Sequence, residues 1–161
     1  MSAVISPCGT YRYRLDRQVG MAGPVYAYFG INGSTATATD NDHTVRKWIG
    51  FTERLGGSRF IVGNCFGYRA KKVTQLALAP DPYGPDNDRY LSEIIAEADI
   101  LVPCWGSRAK VPARLRDAFD ALMQRLCASG KPVMTFGLTG QGDPLHPLML
   151  GYSTPLVEWV R

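Results

Sequence analysis

The stretch VYAYFGI at residues 25–31 is a short run of aromatic and β-branched residues, typical of a buried β-strand. It ends at Asn32-Gly33-Ser34, a strong turn signal. Three similar runs follow along the chain: RFIVGNC at 59–65, DILVPCW at 99–105 and PVMTFGL at 132–138. Each run is nearly continuous in apolar residues rather than alternating, which indicates strands that are covered on both faces of a parallel sheet.

Helical patterns separate these predicted strands. Apolar residues recur at helical spacing over 45–55, 86–98 and 112–129, and a short helix is expected around 73–79. Asp40, Asn41 and Asp42 are candidate N-caps for the first helix. Strands that alternate with helices predict a three-layer α/β/α domain around a central, mostly parallel sheet of about four strands. We expect one domain over residues 1–161, with 1–24 as an N-terminal arm or edge strand.

Composition excludes several classes of protein. The chain has 161 residues, 45% hydrophobic and 20% charged, which is globular and not that of a disordered or coiled-coil protein. It contains no apolar run of about 18 residues, so no transmembrane helix is expected, and its start lacks the layout of a signal peptide. The four cysteines form no CxxC pair, which predicts no structural metal and a reducing, cytoplasmic setting.

Familiar catalytic signatures are missing from the sequence. It has no GxGxxG, GxxxxGK[ST], HExxH or GxSxG motif, which argues against dinucleotide-dependent oxidoreductases, P-loop NTPases, zincins and α/β-hydrolases. We therefore expect chemistry without a cofactor.

Positive charge is concentrated in the first part of the chain. Residues 1–72 contain ten Lys or Arg against four Asp or Glu, whereas the whole chain has a net charge of +4. A cationic half with interspersed Tyr and Trp suits a phosphate-bearing partner, DNA or a nucleotide, although a solvated face would look the same. The candidate phosphate contacts are Arg12, Arg14, Arg46, Lys71, Lys72 and Arg108.

Polar residues follow each predicted strand. Because ligands bind beyond the carboxyl ends of the strands in open parallel sheets, these residues should meet at one rim. They could hydrogen-bond and stack on a heteroaromatic ring. Asn32 could equally be a turn residue and Asn64 a loop staple, whereas His146, between prolines in a loop, is the better functional candidate. The candidates are Asn32, Ser34, Thr35, Asn64, Tyr68, Arg69, Trp105, Ser107, Arg108, Thr139, Gln141 and His146.

Several stretches resemble DUF1643, a bacterial and phage family, across nearly the whole chain. They are YRYRLDR at 11–17, GINGSTATATDNDHTVRKW at 30–48, IVGNCFGYRA at 61–70, GPDNDRYL at 84–91, CWG at 104–106 and HPLML at 146–150.

More distantly, the layout is similar to the uracil-DNA glycosylase superfamily, in which a GINPG-type turn, a strand-ending Asn and an HPS-type loop form the site. The counterparts here are residues 30–34, Asn64 and residues 146–148. The resemblance implies that Asn32 orients a water or nucleophile, Asn64 reads the base edge and His146 stabilises the departing base. Gly33 and Leu148 depart from the superfamily's Pro and Ser, and no Asp occupies the first-motif base position.

Three functions remain open at this stage. The first is a metal-free enzyme that excises or modifies a nucleobase in DNA, with Asn32 and His146 catalytic. The second is a nucleic-acid or nucleotide-binding module without catalysis. The third is an enzyme that acts on free nucleotides or nucleosides.

Overall fold

A computed structural model describes residues 1–160. The longer elements match the sequence pattern closely, and each predicted helix stripe forms a buried helix face. The strands and α-helices in chain order are β1 (Ser2–Ile5), β2 (Arg12–Gln18), β3 (Val25–Asn32), α1 (His43–Arg54), β4 (Arg59–Phe66), α2 (Asn87–Glu97), β5 (Ile100–Pro103), α3 (Asp117–Ala128), β6 (Met134–Thr135) and β7 (Val157–Glu158). The short helix expected around 73–79 is a 3₁₀ segment, Val73–Leu78.

Five strands form the main sheet, in the order β1-β2-β4-β3-β5. The central strand β3 is parallel to both of its neighbours, β4 and β5. β2 runs antiparallel to β4 and to β1, so four of the five strands point the same way. The chain is therefore a mixed α/β protein with a mostly parallel sheet, and its N-terminal arm supplies the two strands on one side of that sheet.

The fourth parallel strand predicted at 132–138 is much shorter than expected. Only Met134–Thr135 forms a strand, and it pairs antiparallel with β7 in a separate two-stranded sheet. A single parallel bridge, Leu101 to Val133, joins this region to β5. Pro132 has no N–H to donate, and Gly137 adopts a φ of +113°, so the backbone leaves the extended conformation after two residues.

Side chains alternate between the two faces of the sheet and build two separate cores. Tyr28 of β3 stacks on Trp48 of α1, with ring centroids 5.5 Å apart. The next residue, Phe29, packs in the other core with Ile94 of α2 and Phe119 of α3. Fully burying an aromatic of this size stabilises the fold by about 2–3 kcal/mol. Apolar burial thus fixes α1 on one face and α2 and α3 on the other.

The start of α1 lies at the same edge as the carboxyl ends of β3 and β4. Asp42 is the N-cap of α1, and its Oδ1 accepts a hydrogen bond of 2.9 Å from the Val45 N–H. Of the three cap candidates in the sequence, the structure thus selects the last one. The cap fixes a carboxylate beside the turn that follows β3.

Residues 1–160 contain neither a candidate membrane span nor a candidate metal site. No helix there has the length and apolar character required to span a membrane. No group of three or more His, Cys, Asp or Glu side chains in this part of the chain is arranged to hold a metal ion.

Candidate active site

A cavity of about 170 Å³ lies at the carboxyl ends of β3 and β4. It brings together four of the residues expected at the rim, from three separate loops and strands, and two of the expected phosphate contacts. The polar and aromatic side chains that line it are Arg12, Asn32, Ser34, Asp42, Thr44, Trp48, Asn64, Lys71 and His146.

Asn64 presents an amide to this cavity that the protein itself does not use. Its side chain is only 3% exposed, yet it makes no hydrogen bond within the described chain. The Asn87 side chain holds the strand end instead, donating to the carbonyls of Asn64 and Cys65 at 3.1 and 3.3 Å. Gly30 leaves room for the amide, because an added Cβ there would lie 2.9 Å from Asn64 Oδ1. A buried amide without partners indicates a polar ligand at this position.

Asn32 is anchored by its nitrogen and leaves its oxygen free. Nδ2 donates to the carbonyls of Gly33 and Ala70, both at 2.9 Å. These bonds join the turn after β3 to the segment after β4. Asn32 therefore acts as a staple of the site through Nδ2, and only Oδ1 remains to accept a hydrogen bond from a ligand or water.

His146 is held in one tautomer. Its Nδ1 accepts a hydrogen bond of 3.1 Å from the Leu148 N–H, so the proton of the neutral ring sits on Nε2. Burial lowers the pKa of His146, and the positive charge of Lys110 lowers it further, against an opposing effect of Asp42. The ring is therefore neutral at pH 7 and offers one N–H donor to the cavity that it lines.

Arg12 lies in the wall of the cavity and not on the protein surface, since its exposed fraction is 3%. Its Nη1 donates to the Ala36 carbonyl at 3.0 Å, and its Nε is buried without a partner. The side chain lies against Gly33, where an added Cβ would be 3.2 Å from Nε. Glycine at position 33 thus lets Arg12 pack closely against the backbone, and a side chain there would be in tight contact with the guanidinium.

Asp42 is a cavity residue that the sequence indicated only as a helix cap. One carboxylate oxygen caps α1, and the side chain also lines the cavity. Its negative charge acts on both Arg12 and His146. A capping residue in the sequence shows where a helix starts but not whether its side chain also lines a cavity, so the sequence offered no signal for this position.

A second hollow, of about 280 Å³, adjoins the cavity and shares Ser34, Ala70 and Lys71 with it. Arg69 also lines it and donates to the carbonyls of Ser34 and Gly9 at 3.1 and 3.4 Å. Thr35, Lys71 and Lys72 are exposed at this edge. We refer to this hollow as the cationic groove.

The remaining candidates lie outside both hollows. Trp105 is 1% exposed and packs on Phe119 at 5.2 Å. Ser107 caps a 3₁₀ turn, and Arg108 pairs with Asp143 at 2.8 Å and with Asp120 at 3.0 Å. These residues support the loops around the site instead of lining it.

Three further candidates also have structural contacts. Tyr68 packs edge-on against Tyr11, at 6.2 Å between ring centroids. Arg14 is bound by Asp16 and Glu97, each at 2.8 Å. Arg46 is exposed and donates to the Asn41 carbonyl at 2.7 Å. Thr139 and Gln141 lie in the loop before His146, outside the residues that line the cavity.

The motifs that build the cavity lie within one region of family similarity. A family model described as "Protein of unknown function (DUF1643)" matches residues 12–148, most of the chain. The chain belongs to the DUF1643 family. The match runs from Arg12 to Leu148 and so includes every polar residue of the DUF1643 cavity named above. No curated protein and no solved structure matches the chain significantly.

Proposed function

We propose that this DUF1643 protein is a metal-free enzyme that excises or modifies a nucleobase in DNA, with the base bound in the cavity between Asn64 and His146. The arrangement proposed is uracil-DNA glycosylase-like: α1 on one face of the sheet, α2 and α3 on the other, and the site at the carboxyl ends of the strands. The four cysteines are free, which fits the reducing cytoplasm we propose as its setting.

The free amide of Asn64 carries this proposal. An amide offers two donors and one acceptor in a plane, and the edge of a nucleobase has the complementary pattern. The cavity, at about 170 Å³, is smaller than the pockets of drug-sized ligands, which suits a single flat ring. The amide is buried and unpartnered, so a matching base edge gains hydrogen bonds without displacing any that the protein makes.

Excision requires a water molecule, a group that takes its proton and a donor for the departing base. Asp42 is the carboxylate at the cavity and takes the proton, while Asn32 Oδ1 orients the water. Water adds to the sugar carbon, the glycosidic bond breaks, and its electron pair goes to the base nitrogen. The Nε2–H of neutral His146 donates to the base as negative charge develops there.

The loop after His146 favours DNA over a free base. Leu148 is 41% exposed and Met149 90% exposed, next to the cavity and on the same short segment. Apolar side chains at such a position can enter the space that an extruded nucleotide leaves in the stack. Lys71 and Lys72 are exposed nearby and are available to the phosphates on either side of that nucleotide.

The test is incubation with oligonucleotides that carry natural, deaminated and 5-substituted pyrimidines, followed by mass spectrometry of the products. We expect one class of base to be released or changed in mass. His146→Ala should abolish this product, whereas Arg89→Gln, at an exposed residue of α2 that does not line the cavity, should leave it unchanged. A panel without any product contradicts the proposal.

The cationic groove favours a second candidate, an enzyme that acts on free nucleotides. A base in the cavity and a single phosphate in the adjoining groove would share Ser34 and Lys71. This alternative predicts that mononucleotides raise the Tm of the protein in a concentration-dependent way, while oligonucleotides yield no product. A non-catalytic binding module predicts DNA binding without any change of mass in either substrate.

A further inference from the structure

Arg12 is a buried cation whose hydrogen-bonding capacity is mostly unused. Of its donors, only Nη1 has an acceptor, the Ala36 carbonyl at 3.0 Å. Nε is buried without a partner, and Nη2 makes no hydrogen bond within residues 1–160. The side chain is 3% exposed and lines the cavity that also contains Asn64.

The contrast with Arg17 shows that this is not how the fold usually treats a buried arginine. Arg17, five residues along β2, is 1% exposed and donates to the Asn41 side chain and to four carbonyls. Those carbonyls belong to Ser2, Asp16, Thr37 and Asp40. The two arginines lie on the same strand, but only one has its donors satisfied by the protein.

No carboxylate within the described chain forms an ion pair with Arg12. Asp42 is the acid whose charge acts on it, while Arg69 and Arg17 oppose it with charges of the same sign. Burial lowers the pKa of Arg12 to about 10, so the guanidinium remains charged at neutral pH. A buried cation without a partner is unfavourable by several kcal/mol unless a ligand brings the opposite charge.

We infer that Arg12 forms an anion-binding subsite inside the cavity, and that the ring bound there carries its negative charge against the guanidinium. This inference rests on the proposed function and identifies the ligand class as an anionic heteroaromatic ring. In base excision, the electron pair of the broken glycosidic bond passes to the ring nitrogen and spreads to the carbonyl oxygens of the ring, which accept hydrogen bonds from the free N–H groups of Arg12. The arginine keeps its proton, and the proton of the attacking water goes to Asp42.

Binding of two rings of nearly equal size, one neutral and one anionic, tests this inference separately from the proposed function. Uracil is neutral at pH 7, whereas barbiturate is a planar six-membered ring that is anionic at that pH. We expect both to bind the protein in calorimetric or thermal-shift titrations. Barbiturate should bind about tenfold or more tightly than uracil, because its negative charge accepts hydrogen bonds from a buried guanidinium. If both rings bind equally well, the anion subsite is wrong while the base pocket stands. If neither ring binds, the base pocket itself is contradicted.

Variants of Arg12 test whether this residue causes the preference for barbiturate over uracil. Arg12→Gln should remove the preference for barbiturate but retain uracil binding, and Arg12→Lys should retain part of the preference because it keeps the charge. Arg89→Gln serves as the matched control for loss of one positive charge, and circular dichroism checks that each variant is folded. Loss of the preference in Arg89→Gln as well would contradict the assignment.

Inorganic phosphate distinguishes a ring anion from a phosphate as the occupant. We expect phosphate at millimolar concentration to leave barbiturate binding unchanged, since the subsite lies inside the cavity and the cationic groove lies outside it. If phosphate displaces barbiturate from the wild-type protein but not from Arg12→Gln, the subsite belongs to a phosphate and our assignment to a ring is overturned.

Discussion

At the scale of single residues, the two asparagines near the end of β4 differ in their hydrogen bonds although both are almost fully buried. Asn64 is 3% exposed and its amide has no protein partner, whereas Asn87 is 2% exposed and donates to two backbone carbonyls. Burial alone therefore does not separate an amide that binds a ligand from one that holds the fold. The amide nitrogens do: Asn87 Nδ2 donates to two carbonyls, while Asn64 Nδ2 donates to no group within residues 1–160, and Asn87 Oδ1 is itself buried without a partner.

We expect Asn64→Ala to lower the free energy of unfolding by less than about 1 kcal/mol, because the substitution breaks no hydrogen bond within the protein. The same change should abolish binding of uracil. Asn87→Ala should lower the free energy of unfolding by about 2–3 kcal/mol, because two buried carbonyls lose their donor. Urea denaturation and ligand titration measure both quantities. A large loss of stability in Asn64→Ala would show that the amide holds the fold.

His146 should make the stability of the protein depend on pH. Burial, followed by the charge of Lys110, lowers its pKa in the folded state below the ordinary value of 6.5. The unfolded chain then binds the proton first as the pH falls, so stability present above pH 6.5 is lost below it. Protonation would also break the bond from the Leu148 N–H.

We therefore expect the free energy of unfolding to decrease between pH 7 and pH 5.5, and to decrease less in His146→Gln. Denaturation at several pH values measures the slope. The second histidine, His43, is exposed and serves as the comparison through His43→Gln. Equal slopes in wild type and His146→Gln would refute this account of the ring.

At the scale of elements, α1 joins the fold to the site. Its N-cap Asp42 lines the cavity, and so does Trp48 one and a half turns later. Lys47 binds the Leu150 carbonyl and lies 4.2 Å from the Tyr152 ring centroid, which fixes the segment after His146 on the helix. One helix thus sets the positions of the carboxylate and of the histidine loop.

Two substitutions at Asp42 separate its roles in the helix and in the cavity. Asn is as good an N-cap as Asp, so Asp42→Asn should leave the Tm nearly unchanged, whereas Asp42→Ala should cost about 1 kcal/mol of stability. Both should reduce turnover by about 100-fold or more, because neither side chain can take a proton from water. Thermal melts and single-turnover rates measure the two effects. Normal turnover in Asp42→Asn would remove Asp42 from the mechanism.

The elements that the sequence predicts well are those with a strong local pattern. The aromatic and β-branched runs gave β3 and β4 to within one residue, because continuous apolar strands have few alternative locations. The run at 132–138 looks similar, but a proline before it and a glycine within it limit the strand to two residues. Apolar content indicates burial there, and only backbone geometry decides the pairing.

The site was predictable only in part for a related reason. Topology places the ends of parallel strands together, so Asn32, Ser34 and Asn64 could be grouped from their positions after strands. Arg12 and Asp42 enter the cavity from an antiparallel strand and a helix cap, which that rule does not cover. Trp105 follows a strand too, but its indole packs into the core, a choice that depends on the face to which the side chain points.

At the scale of the whole molecule, four of the ten Lys and Arg residues in 1–72 are buried or paired with carboxylates within the fold. Arg12 and Arg17 are buried, and Arg14 and Arg59 are paired with Asp16 and Glu97. The cationic surface near the cavity is therefore smaller than the sequence suggests and consists mainly of Arg69, Lys71 and Lys72. A small patch is suited to a few phosphates on either side of one nucleotide.

The salt dependence of DNA binding should report the size of this patch. We expect affinity to fall as salt rises from about 50 to about 200 mM, with a log–log slope equivalent to a few phosphate contacts. The double variant Lys71→Gln, Lys72→Gln should reduce that slope by about two. Arg14→Gln should leave it unchanged, because that guanidinium already binds two carboxylates. Fluorescence anisotropy measures the slopes, and an effect of Arg14→Gln equal to that of the lysines would argue against this interpretation.

The pairing of the outer strands determines how the molecule can be handled. Ser2 of β1 pairs with Asp16 of β2, which in turn pairs with Ile61 near the start of β4. Near the other end of the chain, Trp159 donates to the carbonyl of Val133, which lies beside Leu101 near the start of β5. Both ends of the described chain therefore lie toward the amino-terminal ends of the parallel strands. The cavity opens at the opposite edge. A fusion partner, fluorophore or surface tether attached at either end would project from the edge of the sheet where the parallel strands begin. The entrance of the cavity would then stay accessible in immobilised or single-molecule assays.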